Sequence, residues 1–400
     1  MIRRLVVLCT AAALVAGCSI TSRTVRPGAE PIHKATWEIP ESQLLDVWIE
    51  TFDPGQLPDD EDDAIGLSMD IREAEARYMP VHLRRTMEKT GFWGAVRSVP
   101  QGTEGAEVLV SGKILESNGE EVKVTITAVD ATGREWFRRT YDYRAPLDKH
   151  PLPNPGGRRR PYEVFAPLYD TIANDLADYR EGLDPQELLA IRRLAELRFA
   201  ADLAPDAFGG HVERDEKGRY HAVRLPAQND PMYSRVQALR ERDFLLIDTL
   251  NGHFDNFYDE MSEPYGEWRR TRAEEAEALR KIEWEATSNK LLGVAAIAGA
   301  IGLEVLGVGG GSTSTLRNVM VVGGIYAIKS GMDKSSETEI HREVIEELGD
   351  SFSSEARPLV VDVEGETVEL SGSAEAQYKK WRGLLRRIYA SETGFVDLDD

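Results

Sequence analysis

Residues Leu291 to Val308 (LLGVAAIAGAIGLEVLGV) run for eighteen positions with one charge, Glu304, and this stretch limits what the rest of the chain can fold into. It has to be covered, by a protein core, a lipid phase or a second copy of the chain. Gly309-Gly310-Gly311-Ser312-Thr313-Ser314-Thr315 breaks it, and a second apolar run, Leu316 to Met332, carries only Arg317 and Lys329 as charges. Charged helical patterns flank the pair, Glu267 to Glu285 before it and Ser335 to Leu348 after it. The symmetry predicts one long antiparallel helical hairpin over 262–350, with polar stems, an apolar tip and a glycine-rich turn. Each tip arm would reach about 25 Å, close to the ~30 Å hydrocarbon core of a bilayer.

Small residues recur four apart in the tip: Ala295 with Gly299, Ala296 with Ala300, Ala298 with Gly302, and Ala327 with Gly331. Gly323 and Gly324 extend the pattern, a glycine zipper that lets helix backbones approach closely. In a hairpin turned near residue 312, Glu304 falls about one turn from Arg317, and a pair there offsets part of the cost of removing the carboxylate from water. The expected packing residues are therefore Ala295, Gly299, Gly302, Glu304, Arg317, Gly323, Gly324 and Ala327. Membrane insertion, self-association and burial inside the fold all satisfy this pattern.

With 48 Lys+Arg against 69 Asp+Glu, the formal charge of -21 opposes a phosphate backbone, so nucleic acid is not an expected partner. A mean hydropathy of -0.38 excludes a polytopic membrane protein. The 400 residues exceed one hydrophobic core and predict two or three domains. Two cysteines, Cys9 and Cys18, cannot staple such a chain with disulfides.

Both cysteines lie in an N-terminal segment that reads as a secretory signal over residues 1–17: basic Arg3 and Arg4, an apolar run from Leu5 to Ala16, then small Gly17. Val15-Ala16-Gly17-Cys18 resembles the lipobox of bacterial lipoproteins. The resemblance implies cleavage before Cys18, diacylglycerol and palmitate on that cysteine, and, with Ser19 rather than Asp following, delivery to the periplasmic face of the outer membrane. Loss of residues 1–17 removes two arginines and no acid, taking the charge to -23. Several acyl chains anchor stably where one does not. The polar residues 18–35 read as a lipidated, flexible tether.

The mature chain is expected to be α+β. A small α/β domain over 36–181 reads as a strand near Leu44–Phe52, a helix over Ile71–Thr90, an antiparallel meander of strands at 94–99, 107–115, 121–129 and 134–143, and a helix over Tyr162–Tyr179. Asn118-Gly119 and Ala131-Thr132-Gly133 are its turns. In the third strand Val122, Val124, Ile126 and Ala128 alternate with Lys123, Thr125 and Thr127, one face in and one out. The β-α-β-β-β order, with Val108–Lys113 and Tyr169–Leu176, resembles the small domain of envelope-assembly lipoproteins of the curli-secretion and penicillin-binding-protein-activator types.

Residues 182–261 read as helical with an irregular piece from Ala204 to Pro231. Ser262-Glu263-Pro264 predicts the start of a new helix. Over 351–400 the pattern gives a short β-hairpin and an amphipathic helix with Tyr378, Trp381, Leu385 and Ile388 in one stripe. Its basic flank, Lys379, Lys380, Arg382, Arg386 and Arg387, suits either anionic headgroups or this protein's own acidic surface.

No G-x-S-x-G, H-E-x-x-H, phosphate-loop or dinucleotide motif occurs, and the seven histidines lack ligand spacing. His211 and His221 flank a turn and would meet across a hairpin, but zinc needs a further ligand. Asp59-Asp60-Glu61-Asp62-Asp63 lacks the glycine and closing glutamate of a calcium loop. The expectation is a non-enzymatic protein without metal or cofactor, held to a membrane by lipid, that scaffolds an unidentified envelope protein or its own copies. The competing expectation is a membrane-active or secretion protein whose hairpins oligomerise.

Overall fold

The computed structural model describes residues 23–58, 67–149, 163–227, 229–301, 343–350, 359–363 and 366–393. Its N-terminal half is built on one mixed six-stranded sheet. The strands are β1 (Arg23–Val25), β2 (Val47–Glu50), β3 (Val96–Val99), β4 (Val108–Ser117), β5 (Glu121–Asp130) and β6 (Glu135–Arg144), in spatial order β1-β6-β5-β4-β2-β3. Helix α1 (Met69–Glu88) connects β2 to β3, and such a crossover returns a strand parallel to the first. The period-two pattern of β5 buries Val122, Val124, Ile126 and Ala128 as the sequence implies.

Two expectations about this region need correction. The strand at 96–99 does not belong to the meander: β2 lies between β3 and β4 and runs parallel to both, so only β4, β5 and β6 are antiparallel neighbours. Nor is the whole of 18–35 a free tether. β1 pairs in parallel with β6 from Arg23 opposite Arg139 to Val25 opposite Tyr141. The His33 amide then donates to Asn174 Oδ1 (2.7 Å), and the Ala35 amide to the Thr90 carbonyl (2.8 Å). Unpaired edge groups of β6 recruit the segment, a demand that polar composition does not reveal.

After the sheet come α2 (Ala166–Glu181), α3 (Pro185–Leu203) and the single turn α4 (Pro205–Phe208). A small hairpin, β7 (Val212–Arg214) with β8 (Tyr220–Ala222), leads to α5 (Pro231–Ile301). Residues 343–350 form α6, and β9 (Leu359–Val363), antiparallel β10 (Glu366–Leu370) and α7 (Ala374–Thr393) follow.

At 71 residues α5 is about 105 Å long. The helix start expected at Ser262 is not there: α5 runs through Ser262 and Pro264 without a break. Ser262 is buried and its hydroxyl donates to the Tyr258 carbonyl (2.6 Å), one turn back, instead of capping. An interior proline costs roughly 3 kcal/mol, and the burial of Met261, Tyr265 and Trp268 on the same stretch offsets that cost. Among the described residues, no helix is long and apolar enough to cross a membrane.

Two cores meet at α1. One joins Val47, Ile49, Val110, Val124 and Ile126 of the sheet to Leu83 and Met87 of α1, Ile172 of α2 and Ile191 of α3. The other joins Ile71, Tyr78 and Val81, on a second face of α1, to Leu250, Phe254 and Trp268 of α5 and to Trp381 and Leu385 of α7. α5 also runs along the outer edge of β3, where Asn251 Oδ1 accepts from the Ser98 amide (2.7 Å) and Asp248 takes Arg97 (2.7 Å). A helix covering a sheet edge in this way prevents further strand addition there.

Candidate functional site

A cluster of buried polar and charged side chains lies where α1 crosses α5. On α1, Glu75, Tyr78, His82 and Arg85 are spaced three or four apart and share one face; on α5, Asp255, Tyr258, Tyr265 and Arg269 follow one another at spacings of three, seven and four and likewise share a face. The helices run antiparallel, so Arg85 meets Asp255, His82 meets Tyr258 and Glu75 meets Tyr265.

Its centre is an ion pair. Glu163, just ahead of α2, receives both terminal nitrogens of Arg269, at 2.5 and 3.1 Å, and both side chains are buried. The Tyr78 hydroxyl (3.1 Å) and the Phe165 amide (3.0 Å) also donate to Glu163. The Arg269 guanidinium lies over the rings of Tyr265 (4.1 Å) and Phe165 (5.1 Å). Burial alone would raise the Glu163 carboxyl; the charge of Arg269 outweighs it and holds the group near pKa 2. His82 goes the other way, with burial pushing it down to about 4, so at neutral pH an uncharged imidazole shares a hydrogen bond with the Tyr258 hydroxyl (2.6 Å). Glu75 accepts from Tyr265 (2.7 Å) and Ser117 (2.6 Å), and burial raises its carboxyl.

Further ties extend the lock along α5. Asp255 takes both Arg84 and Arg85, and Asp259 takes Arg85 at 2.8 Å. Toward the other end, Arg280 donates to Glu120 at 2.6 Å. Between these, Gly119 (φ +91) turns β4 into β5, and a Cβ there would stand 2.7 Å from Arg272 Cβ. Glycine is thus required both by the turn and by the passage of α5.

α7 is fastened by a further buried acid, Asp243. Trp381 Nε1 donates to Asp243 Oδ1 (3.1 Å), Arg382 stands 3.6 Å from its other oxygen, and burial lifts Asp243 to about 6. Arg382 and Arg386 of the basic flank both pair with Asp202 of α3, while Lys379, Lys380 and Arg387 remain exposed. At the start of β4, burial drives Glu107 up to about 7 beside the Asp46 amide, which it accepts at 2.9 Å, and Arg192 at 3.5 Å.

These groups are bonded to one another. A cleft of about 370 Å³ between α3 and the start of α5 is lined by Arg193, Glu196 and Tyr233, but the Tyr233 hydroxyl already donates to Glu196 (3.0 Å). His211 and His221 do not come together as a ligand pair. His211 bonds the Arg224 carbonyl (2.9 Å) and His221 bonds Asp215 (2.9 Å), with His221 standing opposite Glu213 in the hairpin register. No group of three or more His, Cys, Asp or Glu residues among the described residues could hold a metal ion.

Of the residues expected from sequence to act, Ala295 and Gly299 fall on the backbone of α5. Cys18, Gly302, Glu304, Arg317, Gly323, Gly324 and Ala327 lie outside the described residues, as does the acidic run 59–63. The lock itself was missed. The partners in its central pair are 106 positions apart, and the one local signal was the aromatic spacing of Tyr258, Tyr265 and Trp268 within an otherwise charged stretch. No protein-family model matches the sequence, and no curated protein or solved structure is significantly similar to it.

Proposed function

We propose that this chain is a non-enzymatic lipoprotein, acylated at Cys18 and held at the periplasmic face of the outer membrane, that scaffolds other envelope components. The lipobox-like Val15–Cys18 supports the anchor. The observation that carries the scaffold role is the continuity of α5: it is tied to the sheet domain from Asp248 to Arg280, then runs on through Leu291 to Ile301. A helix fixed at its base by buried charges carries its far end at a set distance and orientation, which suits holding a partner and does not require a catalytic step.

The finer arrangement of the arm belongs to the same proposal. Gly349 of α6 approaches Ala74 and Asp70 of α1, which places it near the level of residue 268 on α5. The hairpin would turn near residue 312, with Gly299, Gly302, Glu304, Arg317, Gly323 and Gly324 among its packing residues; residues 302–342 lie outside the described residues.

Palmitate labelling of cells producing the wild-type chain or Cys18→Ser tests the anchor. Label and outer-membrane fractionation are expected for the wild type and loss of both for Cys18→Ser. An unlabelled wild type with an unmodified amino terminus would overturn the reading. Deleting 291–332 should leave the protein labelled and membrane-bound; release from the membrane would favour an inserting hairpin in place of a scaffold arm.

A further inference from the structure

The residues after Cys18 join the sheet almost at once. Five Cα steps separate Cys18 from Arg23, the first residue of β1, and fully extended chain covers at most about 18 Å in that distance. From Arg23 the segment is bound to the body of the domain, through β6, through Asn174 of α2 and through Thr90 after α1. An acyl group at Cys18 would therefore hold the β1 edge of the sheet close to the lipid surface, with no long linker to let it swing away.

The side chains along this segment suit that surface. Arg23, Arg26, Lys34 and Trp37 are exposed. Residues 23–38 carry three basic side chains against two acidic ones, Glu30 and Glu38, in a chain where acids outnumber bases 69 to 48. His33 stands 3.6 Å from Glu30. Trp37 is 60% exposed, whereas Trp48, Trp93, Trp136, Trp268 and Trp381 are all exposed by 7% or less. An indole with its apolar body in water gains by entering the headgroup layer, where its N–H stays hydrated.

We infer that Arg23–Trp37 is a membrane-contact surface that seats the sheet domain on anionic phospholipid headgroups, with Trp37 entering the interface. The inference rests on the proposed anchor at Cys18, but its test does not depend on acylation in cells. The chain from residue 18 onward contains every described residue and keeps one cysteine, Cys18, which couples to a maleimide lipid in phosphatidylethanolamine/phosphatidylglycerol vesicles with brominated acyl chains. Bromine should quench part of the tryptophan emission of the wild type, and Trp37→Phe should remove that part. Equal quenching in the two proteins overturns the inference. The uncoupled Cys18→Ser chain reads the charges: its partition onto the same vesicles should fall about fivefold for each of Arg23, Arg26 and Lys34 changed to Gln. No change for any of the three also overturns it. Quenching at Trp37 without palmitate labelling in cells would defeat the lipoprotein reading alone.

Discussion

Arg269→Met should lower the stability of the fold by about 3–5 kcal/mol, because it strands the buried Glu163 carboxylate without its counter-charge. Tyr78 and the Phe165 amide remain as donors, but neither neutralises the charge. The intact pair need not be a large net stabiliser, since both ions lost their water on folding. Glu163→Gln/Arg269→Met should therefore recover much of the loss, and urea unfolding of the two singles and the double should show strong coupling. A loss under about 1 kcal/mol in the single variant would mean that the pair is not as dry as its burial implies.

The same variants carry a pH signature. Glu163 titrates near 2 when folded, below an ordinary glutamate at about 4.3, so its contribution is present above pH ~4.3 and is lost as pH falls toward 2. Arg269→Met should reverse that sign, with Glu163 then favouring the fold at the lower pH. His82, held neutral with a folded value near 4, contributes most above its ordinary 6.5 and loses that contribution as pH drops to 4.

Trp381→Ala should cost about 3–5 kcal/mol and act first on α7. The indole is 4% exposed, and its N–H serves an Asp243 that is fully buried. Removing the ring opens a cavity between α7 and α5 and leaves Asp243 with the charges of Arg382, at 3.6 Å, and Arg240 and a hydrogen bond from Tyr378. Limited proteolysis should then cut within 374–393 while the sheet domain stays protected; unchanged protection would show that α7 is held mainly by Arg382 and Arg386 on Asp202. Asp243, raised to about 6, gives stability that is fully present below its ordinary value near 3.9 and is lost as pH rises through 6. That trend opposes the His82 trend over much of the same interval, and Glu107, which burial raises to about 7, adds to it, so a His82 variant should lose stability between pH 4 and 6 more steeply than the wild type.

Local pattern made much of the fold legible. The alternation in β5, the Asn118-Gly119 turn, the 3.6-residue stripes of α1, α2 and α7, and the terminal hairpin all appear where the sequence places them. Strand order was not legible, because nothing in Val96–Val99 itself says that β4 will pass to the far side of β2. The Ser-x-Pro signal at 262–264 misled for a related reason: burial of Tyr265 and Trp268 against α1 overrode a local capping preference. The lock was invisible because Glu163 and Arg269 become a pair only after α2 and α5 converge on α1. Cys18, by contrast, was nominated by a local lipobox-like pattern that involves no long-range contact.

The claim on which the scaffold proposal turns is that α5 moves as one body with the sheet. Spin labels on cysteines at Leu115 and Lys281, both exposed positions, in a Cys18→Ser background of the chain from residue 18 test it by pulsed electron–electron distance measurement. A locked helix gives one narrow distance peak that broadens when Arg269→Met is added. A broad distribution already present with Arg269 intact would contradict it.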